Sequence, residues 1–303
     1  MFNFDLASVK SNIEDTLNST VSKKHEEAFN LYELPFTDMK FNVNVDHFIH
    51  NKIDLQNIIA DLRTTKNHFI HVDTLMMKAA GGDFRMSGYF NGSDPKNIYL
   101  KPNLVTEKVA IDKLLFKMEN FGQDHLVSEN LKGLISSQIE GNIKVYPDLV
   151  PDLSKSQIKI DLEVLNGQLQ NYEPMLMLSD YVGDRNLRNV RFDTLRNHID
   201  IRNGNISIPN MTIESTIGHM DISGSHDFNQ NIEYYLSIPW KTVKKAARYK
   251  LFSKKNKDGE VVNQEKEEDI IELDSTKKVR YLNLKIHGRV DDYKISVGKK
   301  KKE

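Results

Sequence analysis

The sequence predicts a mainly β protein, a meandering antiparallel sheet with one apolar and one polar face and a few short amphipathic helices. Three observations point there. Apolar and polar residues alternate with a period of two through most of the chain, as in Met39, Phe41, Val43, Val45, His47 and Ile49 against Lys40, Asn42, Asn44 and Asp46. Turn dipeptides punctuate the alternation at Asn91-Gly92, Asn166-Gly167 and Asn203-Gly204, where Asn and Gly tolerate positive φ. A pattern is also written twice. Met77–Gly88 and Ile213–Gly224 align Gly82 with Gly218 and Ser87-Gly88 with Ser223-Gly224 at one offset (218 − 82 = 136; 224 − 88 = 136). In each copy an alternating strand enters a glycine turn and a second strand ends at Ser-Gly, so each is read as a β-hairpin.

Residues 1–38 are read as a helical N-terminal segment, because Leu6, Val9, Ile13, Leu17 and Val21 recur near a period of 3.6. Residues 39–298 form the β-rich domain. Within it, Ile158, Ile160, Leu162 and Val164 oppose Lys159, Asp161 and Glu163. Ile199 and Ile201 pair across Asn203-Gly204 with Ile206 and Ile208. Ile232, Tyr234, Leu236 and Ile238, and later Leu282, Leu284 and Ile286, continue the alternation. Helical interruptions are expected at Ala110–Asn120, at Glu173–Tyr181 and at Trp240–Phe252. Residues 253–272 are almost wholly polar and read as a charged mobile loop, and 299–303 as a basic tail.

Composition narrows the function. A net charge of -1 gives no overall attraction to nucleic acid. With no Cys there is no disulfide framework, thiolate metal site or Cys nucleophile. The start of the chain lacks the basic and apolar regions of a secretory signal, and no window approaches a bilayer-spanning apolar run. His47 and His50, like His68 and His71, are three apart, which sends strand side chains to opposite faces and makes a shared metal geometrically poor. Gly81-Gly82 and Gly88 lack the following Lys-Ser/Thr of a phosphate loop. His219 and Asp221 share a face but bring no nucleophile motif. The expectation is a protein without enzymatic activity, cofactor or metal.

The segment Val150–Trp240 resembles the C-terminal region of AsmA-like proteins of Gram-negative bacteria, the Bacteroidota branch in particular. The residues that carry the likeness are Leu162–Leu169, Tyr172-Glu173-Pro174-Met175, Leu187–Val190, Ile199–Gly204, Ile206–Pro209 and Ile217–Gly224, with Tyr281–Gly288 and Asp291–Lys294. The family implies a periplasmic, envelope location at the inner or outer membrane, usually through an anchor that this chain lacks. Its larger relatives resemble bridge-like lipid transfer proteins, whose curled sheet shields acyl chains. The resemblance brings no catalytic motif.

From the residues alone, a closed β-sandwich core is the preferred use of the apolar faces. The resemblance instead implies an elongated, curled antiparallel sheet with an apolar groove for a phospholipid or other acyl lipid. Its lining would be Phe41, Val43, Val45, Ile158, Ile160, Leu162, Ile199, Ile201, Ile206, Ile208, Met220, Ile222, Leu236, Leu284 and Ile286. Trp240, Lys241, Lys244, Lys245 and Arg248 form a basic helix that could meet a membrane surface. The expected role is in lipid transport or outer-membrane homeostasis. The alternative is a structural or assembly factor for outer-membrane proteins, contacting an envelope protein partner through its sheet edges.

Overall fold

The computed structural model describes residues 31–50, 53–117, 127–147, 151–176, 178, 187–240, 243, 270 and 279–298. Thirteen strands follow one another in chain order and hydrogen-bond side by side in one antiparallel sheet that does not close. The strands are β1 (Met39–His50), β2 (Ile53–Thr65), β3 (Phe69–Ala79), β4 (Gly82–Asn91), β5 (Tyr99–Ala110), β6 (Leu131–Val145) and β7 (Pro151–Gln170). They continue as β8 (Asn189–Arg202), β9 (Asn205–Ser215), β10 (Gly218–Asp227), β11 (Asn231–Pro239), β12 (Tyr281–Arg289) and β13 (Asp292–Val297). Every strand pairs with its chain neighbours, so the two-sheet sandwich is not formed among the described residues.

A pure meander sorts its connections onto two rims. One rim holds short turns and loops, at 66–68, 203–204, 228–230 and 290–291 among others. The other holds the long connections, with α1 (Ile111–Lys117) and α2 (Glu173–Leu176) among the described residues. In α1 the acidic Asp112 lies in the first turn and Lys117 in the last, the arrangement favoured by the helix dipole. The expected spans Ala110–Asn120 and Glu173–Tyr181 run on into residues outside the described ones, at Met118–Asn120 and through most of the stretch after Leu176. The expected helices in 1–38 and 240–252 and the 253–272 loop also fall largely or wholly outside them.

The twin hairpins share more than sequence. Ala79 pairs with Gly82 and Ser215 with Gly218, each across a two-residue turn. In β3, Asp73 and Thr74 oppose only Ser87, because Val72 pairs with Gly88 and Leu75 with Met86. In β9, Pro209 and Asn210 oppose only Ser223, because Ile208 pairs with Gly224 and Met211 with Ile222. Both hairpins therefore carry a β-bulge at the same place. Their turns differ. Ala80 and Gly81 both have positive φ (49° and 80°), as a type I′ turn requires, whereas in the second copy the glycine at positive φ is Gly218 (112°), at the start of the strand.

Only one of the three Asn-Gly pairs is a tight hairpin turn. Asn203 and Gly204 (φ 50° and 77°) join β8 to β9 as expected. Asn91 instead ends β4 ahead of a loop through Ile98. Asn166-Gly167 lies inside the long β7, with Asn166 at φ 52°, and the two residues oppose the single Gly133 of β6. The same tolerance of positive φ serves an irregularity within a strand as readily as a turn. At Gly167 a Cβ would lie 2.0 Å from the Phe192 ring, so the glycine is there to admit that ring.

Candidate functional site

Paired residues in an antiparallel sheet project to the same side, so the register defines two faces. On one face an unbroken transverse row crosses eight strands: Val43, Ala60, Leu75, Met86, Leu104, Ile139, Ile160 and Ile199. Each member is apolar, and only Ala60 is buried. On the other face a row crosses ten strands: Ser87, Asn103, Glu140, Lys159, Asp200, Ser207, Ser225, Glu233, His287 and Lys294. Every member is polar. Period-two patterning thus gives one sheet two chemically opposite surfaces.

All fifteen predicted groove residues lie on the apolar face. Phe41, Val43 and Val45 come from β1, Ile158, Ile160 and Leu162 from β7, and Ile199 and Ile201 from β8. Ile206 and Ile208 come from β9, Met220 and Ile222 from β10, Leu236 from β11, and Leu284 and Ile286 from β12. Phe41 is exposed, and ten are half-buried. Ile158, Met220, Leu236 and Leu284 are buried.

The face is covered in three places. At the C-terminal end, Met175, Leu176, Leu178 and Leu187 from the β7–β8 connection pack with Met220, Leu236, Ile238, Leu282 and Leu284. Met220 and Leu284 are only 2% and 1% exposed there, so they are core members rather than open lining. The phenols of Tyr172 and Tyr234 are raised by burial in the same region, Tyr234 to about 12. In the middle, Ile111 and Leu115 of α1 pack with Val164, Phe192 and Ile213. Near the N-terminal end, Tyr32 and Phe36 pack with Phe90, Ile98 and Val145. The eight-strand row lies outside all three clusters.

The apolar face also has a polar interruption that alternation alone does not announce. Thr106 pairs with Ser137, Ser137 with Leu162, and Leu162 with Asn197. The two hydroxyls lie 2.8 Å apart, and the Ser137 amide donates to Thr106 Oγ1 at 3.0 Å. Asn197 Nδ2 reaches Met211 Sδ at 3.2 Å. These groups satisfy one another and leave the face's apolar character on either side. Sequence reasoning also missed the row's contribution from β2 to β6. The bulge at Asp73-Thr74 and the omission of Glu107 and Lys108 from the β5–β6 pairing shift the period there.

The polar face is held by exposed ion pairs. Arg63 grips Asp73 through two bonds of 2.6 Å, which hold the Asp73 carboxyl below its usual range. Asp161 meets His198 Nδ1 at 2.6 Å, and Arg196 pairs with Glu163. A shallow depression of about 600 Å³ along β5–β8 is lined by residues of both faces, Thr106, Ser137, Leu162 and Asn197 as well as Glu107, Asp161, Glu163 and Arg196, and these charged groups are engaged in ion pairs, Glu107 with Arg85. His219 is buried near the rim, its Nε2 3.0 Å from the Tyr281 hydroxyl, and desolvation lowers its pKa. Among the described residues no group of three or more His, Cys, Asp or Glu could hold a metal ion, and no helix is long and apolar enough to cross a membrane.

Of the membrane-surface candidates, Trp240 is described and 39% exposed, with its backbone amide bonded to the Arg280 carbonyl. Lys241, Lys244, Lys245 and Arg248 lie outside the described residues. Comparison with protein-family models, curated proteins and solved structures finds no match. The fold and the two-faced sheet are therefore the basis for a functional reading.

Proposed function

We propose that this chain is an envelope protein of the periplasm that shields the acyl chains of phospholipid along its apolar face, in lipid transport or outer-membrane homeostasis. The observation that carries the reading is the eight-strand row from Val43 to Ile199, apolar throughout and, Ala60 apart, only half-buried, backed by a wholly polar row. Large contiguous apolar surfaces are rare on monomeric proteins, and where they occur they mark binding sites. An acyl chain laid across the strands would bury about 0.8 kcal/mol per methylene without needing a specific polar group.

In this reading the sheet curls around its apolar side into a groove. Several glycines favour such bending. A Cβ at Gly88 would lie 2.1 Å from the Lys101 carbonyl oxygen, one at Gly224 2.4 Å from the Glu233 oxygen, and one at Gly141 2.5 Å from the Gln157 oxygen. Backbones approach at these points more closely than a side chain permits. The cover over β10–β12 closes one end of the groove, and the Trp240 region brings its rim to anionic headgroups.

Native mass spectrometry of the purified chain, with extraction of a labelled phospholipid from vesicles, tests the reading. Co-purifying phospholipid and measurable extraction are expected. A lipid-free protein that extracts none would overturn it.

A further inference from the structure

The sheet has two edges, and they are unlike. β13 has only six residues, and lysines follow it at 299–302. Shortness and lysine are the usual means of preventing strand addition. β1 has twelve residues, and Met39, Phe41 and Ile49 on its apolar side are 45%, 38% and 64% exposed. The apolar face therefore runs to this edge and stops there without cover among the described residues.

Charge placement on β1 selects an occupant. Lys40 and Asp46 lie on the polar face of the strand, six residues apart; neither is in a salt bridge among the described residues, and Lys40 contributes only a minor share of the positive charge around Asp73. Consider two antiparallel copies of β1 related by a two-fold axis perpendicular to the sheet, which keeps both apolar faces on one side. With the axis at Val43, Lys40 of each copy meets Asp46 of the other, Phe41 meets Val45, Asn42 meets Asn44, and Val43 meets itself. Moving the axis to Asn44 sets Lys40 against Phe48. Moving it to Val45 sets Asn42 against Phe48 and leaves Asp46 opposite Asn44. Of these three registers the one at Val43 sets both charges against opposite charges and keeps Phe41 against Val45, with Met39 facing His47.

We propose that β1 pairs with β1 of a second copy of this chain in that register. The contact is isologous and closes on itself, so it yields a dimer rather than a fibre. Two sheets become one, and the apolar faces continue across the junction. This inference rests on the edge and its charges, and it stands or falls separately from lipid binding.

The absence of native Cys makes the test direct. Sedimentation velocity of the full chain should show a monomer–dimer equilibrium, and Val43→Cys should oxidise to a disulfide-linked dimer faster than Asn44→Cys or Val45→Cys. Lys40→Asp and Asp46→Lys should each raise the dimer Kd roughly tenfold, since each creates two like-charge pairs, and the double exchange should restore it. Both side chains are exposed, so an unchanged urea midpoint will separate loss of pairing from loss of folding. A chain monomeric at every concentration overturns the proposal. So does faster cross-linking at 44 or 45, charge exchanges without effect, or a photo-crosslinker at position 43 that captures residues 1–30 of its own chain.

Discussion

Gly88 and Gly224 hold the same position in two hairpins of one sheet. Each follows a serine that faces a two-residue bulge, and each turns its side-chain direction into a neighbouring carbonyl, Lys101 for Gly88 and Glu233 for Gly224. The bulge increases local twist, and the missing side chain allows the next strand to close in. The equivalence extends back along each hairpin to Ala79–Gly82 and Ser215–Gly218.

Side chains at these two positions should therefore be costly. Gly88→Val places a β-branched residue at φ 142° with its Cβ 2.1 Å from backbone, and should destabilise by about 3 kcal/mol. Gly81→Ala is the control, since its nearest neighbour is the flexible Lys113 amine at 3.8 Å and only φ is unfavourable. It should cost about 1 kcal/mol. Urea-unfolding midpoints distinguish the two, and equal losses would contradict the close-approach argument.

Lipid affinity should respond to area rather than to any one residue. Ile160→Ala in the middle of the row should weaken binding of a fluorescent acyl lipid by less than roughly fivefold. Leu104→Asp, Ile139→Asp and Ile160→Asp combined should abolish it, because an acyl chain cannot satisfy carboxylates on its own surface. Placing the same three charges on the polar face, at Ser87, Asn103 and Ser207, should leave lipid binding unchanged.

Acid should weaken the fold through His219. Burial disfavours its charged form, so its folded pKa lies below 6.5 while the unfolded chain keeps about that value. The unfolded state then binds more protons as pH falls below 6.5. Stability from the neutral imidazole is present above that pH and is lost as pH drops toward the depressed folded value. Unfolding midpoints across that range should slope upward with pH, and His219→Gln should flatten the slope.

At the alkaline end, Tyr234 should ionise late. Its phenol is pushed to about 12 by burial first, and then by the nearby Tyr172 phenol. The unfolded chain ionises this residue near 10, so the folded state loses stability as pH rises from about 10 toward 12. Tyr234→Phe should remove a late component from the ultraviolet phenolate titration.

Much of this architecture is legible in the sequence because alternation is a local code. Ile158, Ile160 and Leu162 can share a face only as a strand, and the same holds for Ile199 with Ile201 and for Leu284 with Ile286. What surrounds that face is not encoded locally. A sandwich and a single sheet place Ile160 on the same side of its strand, and only long-range pairing decides between them. Asn166-Gly167 misleads for a related reason, since positive φ suits a bulge as well as a turn. The cover over Met220, Leu236 and Leu284 depends on Leu178 and Leu187, two residues in a connection with no strand period to reveal their target.

A meander in which each strand bonds only to its chain neighbours has no fixed size. One inserted hairpin would widen the sheet by about 10 Å, return the chain to the same rim, and leave every existing register intact. The matched bulges at Gly88 and Gly224 mark such a unit twice in one chain. Width in this architecture is thus an inheritable quantity, adjustable two strands at a time, and homologous sheets should differ from it by even numbers of strands.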